Sequence, residues 1–356
     1  MTRRAVVVGA GVLGACTALE LLDRGWSVDV VDRGDPGTPS RADTRILRFS
    51  HGADEWLTRS AVAGIRGWHD LERRSGAGFI ETRGVLVLAG DRAPGDWERD
   101  SVAQVRRCGV PVRELDPAAT ARRFPYLDPR GLAFAVWEPT AGVIRAGEAL
   151  RALHELLAGH GGKVHRAGCR PGPDDTVLVD GTPLGADAVI WAVGAQAGQL
   201  FPGRVRIRAA HQDSYRLAGD PAADTRPAWL DVGAELYGIP GAPGRTTKVV
   251  LDVEATTAPA PGLLPSRLDE YLHRRFPDLD HTVRDQERCT YAATDDDVPV
   301  LGRLPGTGTH WLIGGDGGIA FKHAPAWAGI LADALDGRRA PPRRLAVDRP
   351  SPKGPA

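Results

Sequence analysis

Ala5 to Val8, four small apolar residues, run directly into Gly9-Ala10-Gly11-Val12-Leu13-Gly14, and no other stretch limits the folding choices of the chain as strongly. A helical pattern follows (Leu13, Thr17, Ala18, Leu21, Leu22), then a second strand from Ser27 to Val31, so the segment reads as a βαβ opening. Each glycine has its own physical task. Gly9 permits the tight strand-to-helix turn, Gly11 lets backbone approach a pyrophosphate, and Gly14 lets helix and strand pack closely. A phosphate would rest on the free N–H groups at the helix start, around Val12 and Leu13. Asp32, followed by Arg33, closes the second strand, where a carboxylate can accept the hydroxyls of an adenosine ribose. The unit implies a dinucleotide without saying which one.

A chain of 356 residues is long for one core, and its 42% hydrophobic content is that of a globular protein. Forty-five basic residues balance forty-five acidic ones, which recommends neither nucleic acid nor an anionic membrane as a partner. Cys16, Cys108, Cys169 and Cys289 lie far apart with no CxxC pair, so neither a zinc ribbon nor a disulfide framework is read, and no metal site. A reducing cytoplasm is the expected setting. Arg3-Arg4 is not read as the start of a secretion signal, because the apolar run behind it is the first strand and its phosphate turn. No uninterrupted apolar stretch approaches the length of a bilayer span, so a soluble protein is expected.

Along the chain, residues 34 to 40 form a loop by composition and deliver Arg41 to Arg48, in which Arg45 and Arg48 would share a face if helical. Residues 54 to 74 read as an amphipathic helix, Phe79 to Leu88 as a hairpin, 101 to 108 and 116 to 124 as helices, Leu132 to Trp137 as a strand, and Glu148 to Leu157 as a helix. Ala186 to Ala195 reads as a buried strand ending at Gly194, where backbone can again approach a cofactor. Short alternating runs from Arg204 to Leu251 suggest a second sheet. A loop (255 to 264), a helix (266 to 276), a strand (310 to 313) and a helix (320 to 335) follow, and the Pro/Arg-rich tail after Gly337 is read as loose. The expected fold is α/β (α+β): a Rossmann-like domain from 1–78, 140–204 and 290–340, interleaved with a mostly antiparallel-sheet substrate domain from 79–139 and 205–289, with 341–356 as a tail.

Several separated segments together resemble one family. They are the nucleotide fingerprint, Asp43-Thr44-Arg45-Ile46-Leu47-Arg48, the strand ending in Val193-Gly194-Ala195, Tyr237-Gly238-Ile239-Pro240 with Lys248 eleven residues after the tyrosine, Cys289-Thr290-Tyr291, and Gly317-Gly318-Ile319-Ala320-Phe321-Lys322. In this order they resemble the monomeric sarcosine oxidase and N-methyltryptophan oxidase group of the D-amino-acid-oxidase-like flavoproteins. The resemblance implies FAD, with its reactive ring between the two domains, and a monomer acting on a small carboxylated amine and O2. It implies that Lys248 lies near flavin N5, where a fixed cation stabilises oxygen as it takes its first electron. Arg48 and Lys322 match the pair that holds the substrate carboxylate, a bidentate fork and a point charge. Arg45 matches a residue over the flavin face, Thr44 its neighbour, and Cys289 the cysteine that carries FAD covalently. Tyr237 and Tyr291 would line the substrate cavity. Gly315, Gly317, Gly318 and Ile319 would aim a helix N-terminus at the charge that develops on the reduced ring.

Three departures stand out: Arg41-Ala42 where His-Gly is usual, Asp252 where the family has a histidine four residues after its lysine, and Gly-Ile-Ala-Phe-Lys in place of a second histidine site. Asp252 could bind an additional amine, accept a proton or point to solvent. These changes turn the expectation from sarcosine towards a small secondary or cyclic amino acid, including pipecolate- or piperideine-carboxylate-like compounds of natural-product pathways. Hydride transfer from the α-carbon or an N-methyl carbon would give an imine, and O2 would be reduced to hydrogen peroxide. A dehydrogenase or desaturase with another acceptor, and a non-catalytic dinucleotide-binding protein, are the other readings.

Overall fold

The computed structural model describes residues 2–35, 39–90, 96–219, 225–242, 246–256 and 262–350. Parts of the two expected loops, residues 36–38 and 257–261, lie outside them, as do residues 351–356 of the expected tail. Two large sheets organise the rest. The first has the order Val300–Arg303, His310–Gly314, Ala188–Trp191, Arg4–Val8, Ser27–Asp32, Lys163–Arg166. All its pairings are parallel except the Val300–Arg303 edge. Ala5, Val6 and Val7 are fully buried at its centre, as a strand covered on both faces requires. The second sheet has eight strands, in the order Val283–Thr294, Ile207–Leu217, Thr246–Leu251, Leu236–Ala242, Ala228–Asp231, Val85–Gly90, Leu132–Glu138, Arg113–Leu115. Its pairings are antiparallel apart from that of Ala228–Asp231 with Val85–Gly90.

The opening unit forms as expected, with the first helix at Val12–Asp23, and Asp116 caps the Pro117–Arg123 helix by accepting the Ala119 N–H at 2.7 Å. Four expectations are corrected. Phe79 to Leu88 is not a hairpin: Ile80–Glu81 pairs with Gly142–Arg145, whereas Val85–Gly90 pairs with Leu132–Glu138 in the large sheet. Gly84, at φ +80°, makes the switch between sheets, and a Cβ there would strike the Trp137 ring at 1.8 Å. Thr44–Leu47 is a strand paired with Gly142–Arg145, so Arg45 and Arg48 do not share a helical face. Between 160 and 185, where no strand was read, Lys163–Arg166 extends the parallel sheet and Cys169–Pro171, Val177–Val179 and Thr182–Leu184 form a meander. The tail is packed through residue 350: Leu345 is buried, and Arg349 grips Asp296 with two hydrogen bonds of 2.7 Å.

The helices Glu55–Ser75 and Ala320–Leu335 cross closely and set the position of Lys322. The second continues through Pro325, which has no N–H for the Phe321 carbonyl; that oxygen instead accepts the Trp68 indole N–H at 2.7 Å. At Gly64 a Cβ would lie 2.1 Å from the Lys322 carbonyl oxygen. Backbone cannot yield there as a flexible side-chain tip can. Gly64→Val is therefore expected to destabilise the protein by about 3 kcal/mol, read from the urea midpoint of the cofactor-loaded protein; an unchanged midpoint would show that the two helices can separate at no cost.

Candidate active site

Phosphate-loop geometry comes first. Gly9 has φ +102°, and a Cβ on it would lie 2.4 Å from the Ala192 carbonyl oxygen; one on Gly14 would lie 1.8 Å from the Gly9 carbonyl oxygen. Gly11 precedes the helix in extended conformation without a side-chain cap. Ser40 Oγ accepts the Val12 N–H at 3.1 Å, while the Leu13 side chain is buried in the core. Asp32 spans the mouth of the loop, accepting the Ala10 N–H at 2.7 Å and the Gly34 N–H at 2.6 Å. Its oxygens keep lone pairs for a ribose hydroxyl. Arg33 makes an exposed ion pair with Asp35 at 2.7 Å. Gly194 and Gly317, both at positive φ, face open space. Thr44 Oγ1 is buried without a hydrogen-bond partner among the described residues. Left-handed glycines following the strands Arg4–Val8, Ala188–Trp191 and His310–Gly314, together with an orphaned buried hydroxyl, fit a dinucleotide laid across the strand ends.

A second group of residues gathers where the two sheets meet. Arg45 is anchored by hydrogen bonds to the carbonyls of Thr44 (2.9 Å) and Pro39 (2.7 Å). Lys248, in the strand Thr246–Leu251, is only 4% exposed. Burial, and then the Arg45 guanidinium, push its ammonium down to about 8, with Cys289 and Glu287 opposing. Cys289 stands opposite Gln212 in the longest antiparallel ladder, and the Gly317 N–H binds the Ala292 carbonyl at 2.9 Å, which brings the glycine-rich turn onto the Cys289 strand. In that turn, a Cβ on Gly315 would meet Thr294 Cγ2 at 2.7 Å and one on Gly318 would reach Tyr291 at 4.0 Å. Ile319 directly precedes the last helix, and Asp316 accepts the Ala320 N–H at 2.9 Å.

Arg48 and Lys322 form the third group. Lys322 is buried at the start of the last helix, and desolvation followed by Arg48 lowers its affinity for a proton; Asp316, Asp252 and Glu138 pull the other way. Burial likewise lowers Arg48, against Glu138 and Asp252. Asp252 is exposed but not unpartnered: its Oδ1 accepts the Gln212 amide at 2.6 Å, and Gln212 Oε1 accepts the Tyr237 hydroxyl at 3.2 Å. Burial, then Asp252, push the Tyr237 phenol up, and burial, then Glu254, raise that of Tyr291. Electrostatic reach thus links Arg48, Lys322, Asp252, Tyr237, Arg45, Lys248 and Cys289: five of them stand on four strands and one helix, and Arg48 and Asp252 lie one residue past strand ends.

Sequence reading missed several members. Glu138, fully buried at a strand end, accepts the Phe49 N–H at 2.8 Å, the Ser50 N–H at 2.9 Å and the Ser50 hydroxyl, fixing the segment that bears Arg48. The Arg48 guanidinium lies 5.6 Å from the Trp97 ring centroid. His51 and His323 are buried within electrostatic reach of Arg48 and Lys322. A glutamate closing the apolar run 132–137, and histidines close to Arg48 and Lys322 in the chain, were the available signals.

The buried ammonium has a testable cost. Lys248 holds its proton to about pH 8 in the folded protein and to about 10.5 when unfolded. Below pH 8 both states are charged and folding bears the whole desolvation penalty; between 8 and 10.5 only the unfolded state keeps the proton, so the penalty fades as pH rises. Lys248→Met should accordingly stabilise the protein by about 3 kcal/mol at pH 7, a gain that shrinks through that window in denaturation midpoints. A gain that is independent of pH would refute the assignment.

Residues 4–334 match the family model described as FAD dependent oxidoreductase. Monomeric sarcosine oxidase of Streptomyces avermitilis is 25% identical over 96% of this chain and 97% of that one. A second monomeric sarcosine oxidase, from Bacillus sp. strain B-0618, is 26% identical, but that match spans 45% of this chain and 41% of the relative. Among solved structures, L-proline dehydrogenase from P. horikoshii superposes with a TM-score of 0.83 at 20% identity, covering 98% and 96% of the two chains, which shows a shared fold. The chain belongs to the FAD-dependent oxidoreductase family and is an enzyme of that class.

Proposed function

We propose that the protein is an FAD-dependent oxidase of a small secondary or cyclic amino acid, converting it to an imine with release of hydrogen peroxide. The observation that carries this reading is the part-buried Arg48 within electrostatic reach of the buried Lys322, two cations in mutual repulsion that a substrate carboxylate would relieve. FAD, when bound, supplies the two-electron acceptor for the C–H bond next to nitrogen and hands the electrons to oxygen. Gly9, Gly11, Gly14, Asp32, Thr44 and Gly194 would hold its nucleotide half, and the Gly315 to Ile319 turn and Arg45 its reactive half.

In this scheme the Arg48 fork and the Lys322 ammonium bind and orient the carboxylate. The Tyr237–Gln212–Asp252 chain faces the amine, which must shed a proton before oxidation; Tyr237, held by Gln212, orients the nitrogen, and the exposed Asp252 carboxylate takes the proton by way of solvent. Tyr291 closes the cavity beside Gly318. Lys248 supplies positive charge for the reduction of oxygen; desolvation makes that charge effective because little water screens it. Cys289, a free thiol within electrostatic reach of Lys248, would tether the cofactor. The division into a cofactor domain (1–78, 140–204, 290–340) and a substrate domain (79–139, 205–289), action as a monomer, and a cytoplasmic setting belong to the same proposal. So does peroxide as product; a dehydrogenase would give the imine with a different acceptor.

Anaerobic mixing of the purified yellow protein with N-methyl, cyclic and D-amino acids should bleach the flavin, and failure of every carboxylated amine would end the clamp reading. After acid precipitation the colour should stay with the pellet; colour wholly in the supernatant would reject the tether. With oxygen, the reoxidation rate should fall as pH rises through about 8, where Lys248 loses its charge, and Lys248→Met should be slow at every pH. A variant that reoxidises as fast as the parent would favour the dehydrogenase.

A further inference from the structure

Two imidazoles at the inner end of the site have no task in the scheme above. His51 and His323 lie with ring centroids 5.0 Å apart, 8% and 0% exposed, close to the level of Lys322 at 5%. His323 is firmly held. Its Nδ1 is 3.0 Å from Ser60 Oγ; that oxygen accepts the Trp327 indole N–H at 2.8 Å and has its own hydrogen to give to Nδ1, and the Trp327 ring stacks on the imidazole at 5.0 Å with 6° between planes. Its other nitrogen points away from these supports. Nε2 of His323 and Nε2 of His51 are both buried without a hydrogen-bond partner among the described residues. A buried polar atom is rarely left so unless a ligand completes it.

The surroundings select the ligand. Both rings sit within electrostatic reach of Arg48 and Lys322, so four nitrogen-bearing side chains converge from Arg48–His51 and Lys322–His323. The acids nearby are already committed: Glu138 to Phe49 and Ser50, Asp316 to the Ala320 N–H, and Asp252 to Gln212. With the Ser60 hydroxyl donating to Nδ1, His323 presents Nε2 as an N–H donor, and His51 can present the same tautomer, so the partner that completes both is an acceptor, and beside two cations one carrying negative charge. One carboxylate satisfies the Arg48 fork and Lys322 and leaves the imidazoles bare. Asp252 repels a second acid from the Tyr237 side, which leaves the imidazole side for it.

We propose that His51 and His323 extend the Arg48–Lys322 clamp into an anion-binding wall and that the substrate is a secondary amine bearing two acidic groups, one on the clamp and one on the imidazoles. This rests on the clamp reading above. Because burial and the two cations keep both rings neutral, a dianion that enters should draw a proton in with it.

The test is calorimetry of the yellow holoenzyme with unreactive acids of matched length: malonate and succinate against acetate and propanoate. The dicarboxylates should bind at least about tenfold more tightly, with a heat that depends on buffer ionisation in the sense of proton uptake. His51→Phe and His323→Phe should each bring the ratio towards one, and His51→Gln and His323→Gln, which keep a donor amide and serve if the phenylalanine variants fail to fold, should retain part of it. Equal affinity for both classes in the parent protein overturns the proposal, as does a preference that survives both phenylalanine substitutions. If no carboxylate binds at all, the clamp reading falls and takes this one with it; bleaching by N-methylglycine without any dicarboxylate preference overturns this one alone.

Discussion

The Glu138 carboxylate does more to define the site than any group that would touch a substrate. It closes a strand of the eight-stranded sheet and receives two backbone N–H groups and a hydroxyl from Phe49 and Ser50, just beyond the strand that carries Arg45. Through it the arms bearing Arg48 and His51 are locked to a different sheet, and a short extended segment gains the rigidity of a sheet interior. Three donors on one carboxylate also offset much of the cost of burying it; the residual effect of burial still raises its proton affinity.

Cations are then built onto this frame at a cost. Lys322 and Lys248 are almost fully buried, and each is lowered first by desolvation and next by an arginine, Arg48 or Arg45. Neither arrangement favours folding, since an apolar residue would be more stable in either position. The protein bears this cost where charge is useful, and recovers stability in ordinary ways elsewhere: buried parallel strands, the close crossing at Gly64, the Trp68 bond that rescues the Phe321 carbonyl, and the Arg349–Asp296 pair that fastens the final segment.

Legibility in the chain followed the range of the interactions. The opening unit was readable because glycine conformation, strand burial and helix period are local properties, and the last helix was readable to its ends, Ala320 and Leu335, from its apolar pattern. The Phe79 to Leu88 hairpin failed because a two-strand pattern does not say which partner each strand will choose; Gly84 sends the two halves to different sheets under the Trp137 ring. The segment bearing Arg45 and Arg48 remained open because its strand character comes from pairing with Gly142–Arg145, a partner that its own residues do not name. A Pro/Arg-rich tail looked loose because its main attachment is a residue more than fifty positions away.

By itself, the sequence determined the nucleotide-binding unit, the α/β class and the family, since each depends on short segments whose chemistry travels with them. Only the tertiary structure decided which charges meet: that Arg48 and Lys322 come within electrostatic reach although their numbers differ by 274, that Asp252 is tied to Tyr237 through Gln212, and that His51 and His323 lie with ring centroids 5.0 Å apart near them. Electrostatic energy depends on distance and on the exclusion of water, and neither exists for a pair of residues until sheets and helices have closed around them.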